Sequence, residues 1–329
     1  MKTITLGQSG PRVGVVGLGC FAMSGAYGPA DETESIATIH AALDMGINLI
    51  DTGDFYGMGH NESLIGRALR GRARDQAVLS VKFGLMRAPD GRALGYDGRP
   101  RSVKNFLTYS LQRLGVDHVD IYRPARVDPD VPIEETVGAI VELVEQGYVR
   151  HVGLSETPLD AIRRACAVAP ICDVQLEYSL MSRGIEQEIL PYLRENGIGV
   201  TAYGVLSRGL LVGTLPDARN TGDIRVSRLP RFKGENAEKN LKLADALARV
   251  AAELGITSAQ ASIAWVLSRY EGIVPVIGAR RRDRLQDAAA ALALRLSPDQ
   301  LAAIEAAVPA DQVAGTRYDE PQMAHLSVA

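Results

Sequence analysis

Two apolar stretches end in residues that suit proton transfer. Asp51 and Tyr56 lie in "INLIDTGDFYG", and Lys82 ends "VLSVKFG". A lysine at the end of an apolar stretch is a poor core residue, because burial of an unpaired ammonium is costly. We therefore expect Asp51 to hold Lys82, and the ammonium to lower the pKa of the Tyr56 phenol from its ordinary value of about 10. Such a trio would make Tyr56 a general acid and base.

The same spacing also fits a purely structural ion pair between Asp51 and Lys82, with an unrelated tyrosine in the loop beside it. Spacing alone leaves both interpretations open. The stretch "VDIYRPARVDP" raises a related question, since it predicts a buried strand that runs into a loop. Ala125 stands at the end of this strand, where an enzyme would be expected to place a proton donor.

Eight short apolar runs alternate with helix-like segments along the chain. This alternation predicts parallel strands with helical crossovers, and closing eight of them gives an α/β fold, the (β/α)8 or TIM barrel. We expect an N-terminal β-hairpin and long loops at the C-terminal mouth, with a doubly wound open sheet as the alternative. No linker is visible, so residues 1–329 are expected to form one barrel domain. The predicted strands cover residues 13–19, 48–54, 77–84, 118–125, 149–155, 173–179, 199–204 and 273–278.

Composition argues against several classes of protein. The 329 residues are 46% hydrophobic and 23% charged, which is ordinary for a globular protein with a large core. A net charge of −3 gives no basic signature of nucleic-acid binding. Three cysteines, without a Cys-x-x-Cys pair or a Cys/His cluster, argue against a disulfide framework or a metal site. Neither an apolar N-terminal run nor a membrane-spanning one is visible, so we expect a cytoplasmic protein without a membrane partner.

Longer motifs resemble the aldo-keto reductase superfamily along essentially the whole chain. They read "NLIDTGDFYGMGHNESLIGRAL", "SLQRLGVDHVDIY", "RVDPDVPIEET", "GYVRHVGLSE", "VQLEYSLMSR" and "AYGVLSRGLL". The resemblance implies a (β/α)8 barrel that binds NAD(P)H in extended form. It also implies hydride transfer to a carbonyl carbon while a tyrosine protonates the oxygen. Asp51, Tyr56 and Lys82 match three members of the family's catalytic tetrad, and Ala125 takes the position of the fourth, a histidine.

No other histidine is expected to replace the missing one. His60 lies near the mouth, but we expect it to form local hydrogen bonds in its loop, and His325 lies in the C-terminal tail. Ala125, Arg123 and Met23 are expected to line the substrate pocket, although Arg123 also fits a structural ion pair in the barrel. The "PAR" sequence resembles a branch with pyridoxal reductases and reductases of bulky cyclic ketones, which implies a substrate larger than a simple aldehyde.

The resemblance also implies a nicotinamide and pyrophosphate site. The residues expected to hold the nicotinamide carboxamide lie at or near the ends of the fifth and sixth strands: Ser155, Glu156 and Gln175. Tyr203 is expected to stack on the nicotinamide ring. The expected pyrophosphate loop contains Leu206, Ser207 and Arg208.

The segment "GARRRDRLQDA" places basic residues at the start of a helix, where the macrodipole favours acids. A phosphate between these residues and the helix N-terminus would explain the pattern. We therefore expect NADP(H), with Gly278 opening the turn and Arg280 and Arg284 on the 2′-phosphate. A solvated basic face is the alternative. Asp287 stands where the family usually has a glutamate near the adenine.

Three functions remain open from the sequence. The first is NADPH-dependent reduction of an aldehyde or ketone, with a small-molecule carbonyl substrate. The second is an NADP(H)-binding regulatory or redox-sensing subunit with little turnover, and the third is reduction of an activated C=C bond. Residues 212–236 are expected to fold over the cofactor as a lid, and residues 314–329 to line the substrate pocket.

Overall fold

The computed structural model describes residues 1–72, 74–217, 219–220, 222–323 and 326. In these ranges the strands are β1 Thr3–Thr5, β2 Arg12–Gly14, β3 Gly17–Gly19, β4 Leu49–Gly53, β5 Val78–Phe83, β6 Leu85–Arg87, β7 Ala93–Tyr96, β8 Val119–Pro124, β9 Val149–Ser155, β10 Ile171–Glu177, β11 Gly199–Tyr203 and β12 Ile273–Gly278. Eight of them, β3, β4, β5 and β8 to β12, form a closed parallel barrel in which β12 pairs back onto β3. The predicted (β/α)8 fold is confirmed.

The N-terminal hairpin of β1 and β2 covers the end of the barrel where the strands start. Leu6 and Val13 pack there against Leu49, Val78 and Ile121. The run 13–19, expected to form one strand, is divided by this arrangement: β2 ends at Gly14 on the hairpin and β3 begins at Gly17 in the barrel. One apolar run thus serves two sheets, which its composition alone does not reveal.

The helices are α1 Glu32–Asp44, α2 His60–Leu69, α3 Pro100–Leu114, α4 Ile133–Glu145, α5 Leu159–Val168, α6 Ile189–Glu195, α7 Ile224–Arg228, α8 Gly234–Glu253, α9 Ser258–Arg269, α10 Arg282–Ala290, α11 Pro298–Ala307 and α12 Glu320–Met323. The main helices surround the barrel and bury their apolar faces against its outer surface, where Val81, Leu154 and Trp265 belong to one continuous core. Within the described ranges, no single helix has the length and hydropathy to cross a membrane, and only α8 and α9, bent by 88° at their junction, pass that test together.

Three additions lie at the other end of the barrel, where the strands finish. They are the β6–β7 hairpin, the long connection from β11 to α8 that contains α7, and the tail after α11. Loops at this end of a (β/α)8 barrel carry function, because they surround the side chains at the strand ends. These additions therefore decide what can reach those side chains.

Candidate active site

Asp51 and Lys82 form a buried ion pair at the barrel mouth. They lie on the adjacent parallel strands β4 and β5, and Lys82 Nζ is 2.5 Å from Asp51 Oδ1. Ser80 Oγ and Gln175 Nε2 both donate hydrogen bonds to Asp51 Oδ2, at 3.0 and 2.8 Å. Burial lowers the pKa of the Lys82 ammonium, and the Asp51 carboxylate offsets only part of that effect. The expected contact is present, with its carboxylate held from three sides.

Tyr56 stands over this ion pair in the loop after β4. Its ring centroid is 5.1 Å from Lys82 Nζ, and it packs against Phe21 and Phe55 with centroids 4.5 and 5.0 Å away. The prediction that the pKa of this phenol lies below its ordinary value was wrong. Burial raises the pKa of Tyr56 well above its ordinary value, and the Asp51 carboxylate raises it further. The phenol therefore keeps its proton, which suits a proton donor.

Ala125 follows the end of β8 and presents only a methyl group. It is 2% exposed, and its backbone N–H donates to the Phe83 carbonyl at 2.8 Å. His60 is engaged elsewhere, since its ring nitrogens lie 2.9 Å from Ser24 Oγ and 2.7 Å from Glu32 Oε1. His60 was expected to bond within its own loop, but its partners Ser24 and Glu32 lie 36 and 28 residues away along the chain. His325 lies outside the described residues.

Arg123 and Met23 were expected in the substrate pocket, and the structure places both in the core. Arg123 is fully buried inside the barrel, where it contacts Asp173 Oδ2 at 2.9 Å, the Leu154 carbonyl at 3.2 Å and Ser80 Oγ at 3.1 Å. A buried charge requires such partners, so the alternative of a structural ion pair holds for Arg123. Met23 is 1% exposed and belongs to the main core.

Ser155 ends β9 with its hydroxyl oxygen buried and without a hydrogen-bond partner among the described residues. Buried polar atoms are seldom left unpaired, so such an atom marks a position for a bound group. Gln175, on the neighbouring strand β10, directs its amide nitrogen toward Asp51. The two residues expected near a carboxamide thus lie side by side, since they are register partners.

Glu156 is tied to the C-terminal tail. Its carboxylate forms a bidentate ion pair with Arg317, with both contacts at 3.1 Å, and accepts a hydrogen bond from Tyr203 Oη at 2.8 Å. Burial acts to raise the pKa of Glu156, but Arg317 and Arg126 outweigh it and hold that pKa below its ordinary value. Tyr203 Oη also lies 3.0 Å from Tyr318 Oη, so the tail reaches the strand ends expected to hold nicotinamide.

The turn after β11 carries Leu206, Ser207 and Arg208. Ser207 and Arg208 have φ of 46° and 56°, and Arg208 Nη2 contacts Glu177 Oε2 at 2.8 Å. Burial acts to raise the pKa of Glu177, but Arg208 and Arg317 outweigh it and lower that pKa to about 2. A fixed carboxylate at the end of β10 therefore holds this turn in its strained conformation.

Backbone strain in the described ranges is concentrated at the mouth. The non-glycine residues with positive φ are Met58, Glu156, Ser207 and Arg208, and each lies in a loop after a barrel strand. Such conformations cost about 1–3 kcal/mol each and persist where surrounding structure enforces them, often at binding sites. The distribution of strain independently marks this end of the barrel as the functional one.

The basic segment after β12 borders an open groove of about 720 Å³ together with the N-terminus of α1. Arg280 Nη1 donates to the carbonyls of Gly28 and Pro29 at 3.2 and 2.8 Å, so it fixes the opposite loop. The Arg284 side chain is 72% exposed and lies 4.0 Å from Asp283, its ion-pair partner in the described part of the chain. Gly278 ends β12 with open space where a side chain would begin.

Two further arginines of this segment were missed by sequence reasoning, although they stand in the same run. Arg281 pairs with Asp283 at 2.9 Å, and Arg282 pairs with Glu34 of α1 at 3.0 Å. Both border the groove. Glu34, the partner of Arg282, lies 248 residues away along the chain and cannot be inferred from the run itself. Asp283, the partner of Arg281, stands within the run, but the sequence does not show that the two side chains meet.

Asp287 was expected near the adenine, and the structure gives it a different set of contacts. Its carboxylate accepts hydrogen bonds from Gln260 Nε2 at 2.8 Å and Thr257 Oγ1 at 3.2 Å. Thr257 and Gln260 also form the capping box at the start of α9. Asp287 therefore supports a helix terminus in this structure.

The long connection after β11 packs across the mouth. Ile224 N donates to the Ala26 carbonyl at 3.1 Å, Arg225 Nη1 donates to the Arg208 carbonyl at 3.2 Å, and the Arg225 guanidinium lies 5.1 Å from the Tyr27 ring. The connection thus bridges the loops after β3 and β11, as a lid would.

The tail is anchored beside this connection. Asn240 of α8 exchanges two hydrogen bonds with the backbone of Ala314, at 2.8 and 2.9 Å, and Arg317 reaches Glu156. Tyr318 then faces the mouth between the guanidiniums of Arg126 and Arg208, 5.8 and 4.7 Å from its ring centroid. These tail contacts were not foreseen residue by residue, because they join segments between 74 and 161 residues apart.

Comparison with known proteins decides the family. The model of the aldo/keto reductase family matches residues 15–309. The chain belongs to this family. A probable aldo-keto reductase 1 from Glycine max is 40% identical over 321 residues, which cover 97% of this chain and 92% of that relative. The aldo/keto reductase family reduces carbonyl groups with nicotinamide cofactors, and this member is accordingly an oxidoreductase.

Solved structures of other members agree in fold over nearly the full length. A glycerol dehydrogenase from Gluconobacter oxydans superposes with a TM-score of 0.82 at 28% identity, covering 99% of this chain and 97% of that one. The holo form of an aldo-keto reductase from Bacillus halodurans gives 0.77 at 27% identity, with 94% and 97% coverage. In the described part of this aldo/keto reductase, no group of three or more His, Cys, Asp or Glu side chains is arranged to hold a metal ion.

Proposed function

We propose that the protein reduces an aldehyde or ketone to an alcohol with NADP(H), and that Tyr56 donates the proton. The observation that carries this proposal is the buried Asp51–Lys82 pair directly beneath the Tyr56 ring. A structural ion pair would not need a protonated phenol over it. The backbone strain of the described residues also lies at this end of the barrel, which favours a functional role for the trio. The juxtaposition favours the catalytic interpretation of these three residues.

The side chains around Ser155 fit a nicotinamide carboxamide. The buried Ser155 hydroxyl has no partner within the described ranges and can donate to the carboxamide oxygen. Tyr203 lies at the end of β11, two strands away, where its ring can flank the nicotinamide. Arg208, positioned by Glu177, supplies a guanidinium for the pyrophosphate.

The groove beside α10 supports NADP(H) over NAD(H). Arg280 forms its rim and fixes the loop opposite, while Arg281, Arg282 and Arg284 are exposed around the N-terminus of α10. An exposed guanidinium near a helix N-terminus is a suitable partner for a phosphate dianion. The 2′-phosphate distinguishes NADP(H) from NAD(H), so this end of the site would set the preference.

The cofactor, when bound, supplies the hydride that adds to the carbonyl carbon. The Tyr56 hydroxyl transfers its proton to the carbonyl oxygen, which leaves a phenolate facing Lys82. The ammonium stabilises that phenolate, and Asp51 keeps the ammonium in place. A proton from solvent then restores the phenol before the next turnover.

The substrate is expected to be larger than a simple aldehyde. Ala125 contributes a methyl group where the family has an imidazole, and a methyl group is the smaller of the two. Pyridoxal-like aldehydes and bulky cyclic ketones are therefore the substrate classes we propose. They would enter between the tail and the β6–β7 hairpin.

The test is a screen of NADPH oxidation over pyridoxal, aromatic aldehydes and cyclic ketones. The wild type is compared with Lys82→Met and with Lys104→Met, which removes a partly exposed surface lysine paired with Glu142. We expect turnover that Lys82→Met abolishes and Lys104→Met keeps. NADPH binding without oxidation of any compound would contradict the proposal and favour the NADP(H)-binding regulatory subunit. Turnover only with enones would favour reduction of an activated C=C bond.

A further inference from the structure

Arg126 follows Ala125 and differs from the other arginines that line the mouth. Arg208, Arg225 and Arg317 each contact a carboxylate, at 2.8, 2.7 and 3.1 Å. The guanidinium of Arg126 is partly buried, and no carboxylate oxygen of the described residues lies within 4.0 Å of it. Its hydrogen bond within the protein is from Nη1 to the adjoining Ala125 carbonyl, at 2.6 Å. A partly buried cation without a directly contacting carboxylate is costly, and the Glu156 carboxylate acts on it only from a greater distance, so its position calls for an explanation.

The remaining contacts of Arg126 are aromatic and leave its donors available. The guanidinium lies 5.8 Å from the centroid of the Tyr318 ring. A guanidinium has five N–H donors, and one nitrogen here is engaged by the Ala125 carbonyl. Nε and Nη2 therefore remain for a ligand in the mouth.

Arg126 also acts on the proposed proton donor. Burial, Asp51 and two tyrosines raise the pKa of Tyr56, whereas Arg126 acts to lower it. Burial acts to lower the pKa of Arg126, but the phenols of Tyr203 and Tyr318 outweigh it, so the guanidinium stays charged at any working pH. Its charge is thus felt at the reacting end of the site.

Two more guanidiniums extend this positive region outward. Arg87 of the β6–β7 hairpin and Arg228 at the end of α7 have no carboxylate of the described residues within 4.0 Å either. Burial lowers the pKa of Arg87, and Arg228 lowers it further, so the two cations repel each other. Arg126 and Arg87 both act on Tyr96, on which Asp319 is the opposing carboxylate. Three separate elements thus carry guanidiniums that no carboxylate of the described residues contacts directly, with Glu156 and Asp319 acting from farther away.

We propose that Arg126 binds an anionic group of the substrate, and that the substrate is an aldehyde or ketone carrying a carboxylate or a phosphate near its carbonyl. This inference rests on the proposed function. A planar guanidinium binds either anion through two parallel hydrogen bonds, which fixes orientation as well as position. Arg126 then does by orientation what Ala125 cannot do: it holds the substrate so that the carbonyl oxygen meets Tyr56. Arg87 and Arg228 draw the anion toward the opening.

The reaction itself is unchanged by this assignment. The hydride adds to the carbonyl carbon, the Tyr56 proton goes to the oxygen, and Arg126 exchanges no proton. Arg126 is therefore a specificity-determining residue that touches the substrate away from the reacting atoms. Its removal should affect anionic substrates far more than neutral ones of the same shape.

Matched substrate pairs test the assignment. The holoenzyme is assayed with 4-carboxybenzaldehyde against benzaldehyde, and with pyridoxal 5′-phosphate against pyridoxal. Arg126→Met should lower kcat/KM for the anionic member of a pair about 10- to 100-fold, the usual loss of a charge-assisted contact, and lower it by a smaller factor for the neutral member. Arg126→Lys should restore part of the difference. The pair with the larger change tells whether a carboxylate or a phosphate is preferred.

Arg163→Met is the matched control, because Arg163 also stacks on a tyrosine, with its guanidinium 5.3 Å from the Tyr192 ring on the outside of the barrel. It should leave all four substrates unaffected. Equal losses on both members of each pair in Arg126→Met would overturn the assignment and make Arg126 a residue that acts through Tyr56. No loss on either member would overturn it as well.

A binding measurement separates failure of this inference from failure of the proposed function. Calorimetric titration of 4-carboxybenzyl alcohol into the NADPH-saturated protein needs no turnover. We expect it to bind more tightly than benzyl alcohol in the wild type, with the difference lost in Arg126→Met. If no carbonyl is reduced but this difference is seen, the anion site stands and the proposed reaction fails. If reduction occurs but the two alcohols bind alike, the reaction stands and the anion site fails.

Discussion

Arg123 and Arg126 stand three residues apart, on either side of the end of β8, yet their surroundings differ. Arg123 lies inside the barrel and is paired with Asp173, with two hydroxyls and a carbonyl around it. Arg126 lies just past the strand end without a carboxylate of the described residues in reach. The Arg123 guanidinium has a carboxylate partner within the barrel, whereas the Arg126 guanidinium has donors available for a ligand. Buried charges in the barrel interior are paired with opposite charges, and those at the mouth need not be. This pairing, more than burial itself, distinguishes the structural barrel interior from the functional mouth.

Removing a paired charge from the barrel interior should lower the free energy of unfolding more than it lowers activity. Arg123→Met leaves Asp173 buried and unpaired, and breaking such a pair typically costs about 3–5 kcal/mol. The double variant Arg123→Met/Asp173→Leu removes both charges and should recover most of that loss. Urea unfolding of the wild type and the two variants measures this. Equal destabilisation of the single and double variants would show that Arg123 is not held chiefly by its ion pair.

The carboxyl of Asp54, directly after β4, should make the stability of the protein depend on pH. Burial, followed by the Glu62 carboxylate, raises the pKa of Asp54 from 3.8 to about 7. Between these pH values the folded protein holds a proton that the unfolded chain has released. Stability therefore falls as the pH rises from about 4 to about 7.

The matched comparison is Asp54→Asn, which cannot ionise. Its melting temperature relative to the wild type should rise over that pH window and then level off. The full effect is at most about 4 kcal/mol, and solvent access to the partly exposed carboxyl reduces it. A difference that does not change with pH would mean that Asp54 ionises normally in the folded protein.

The functional mouth should respond in affinity instead of stability. Arg284→Ala should weaken NADPH binding about 10- to 100-fold and leave NADH binding nearly unchanged, since only NADPH carries the 2′-phosphate. Arg280→Ala should weaken both cofactors, because Arg280 also fixes the Gly28–Pro29 carbonyls. Fluorescence titration with both cofactors checks this. Equal wild-type affinity for NADPH and NADH would contradict the proposed preference.

The sequence predicted the parts of the molecule that follow from local pattern. Alternating apolar runs and helical segments gave the barrel, and a lysine ending an apolar run indicated its ion pair with Asp51. Local pattern does not show which buried charges are paired. The partner of Arg123 is Asp173, on a distant strand, and the partner of Glu156 is Arg317, in the tail. The sequence therefore assigned Arg123 to the pocket. Local pattern also does not show whether burial or a nearby charge has the larger effect on a pKa. For Tyr56 burial has the larger effect, and it raises the pKa.

The most direct test of the account is the rate of NADPH oxidation by Tyr56→Phe with a saturating carbonyl substrate. Tyr27→Phe, which removes another phenol at the same mouth, is the control. The account predicts that Tyr56→Phe binds NADPH as the wild type does but turns over about 10²–10⁴-fold more slowly, the usual contribution of a positioned proton donor. Tyr27→Phe should keep most of the wild-type rate. If Tyr56→Phe kept most of its turnover, the phenol over Lys82 would not be the proton donor.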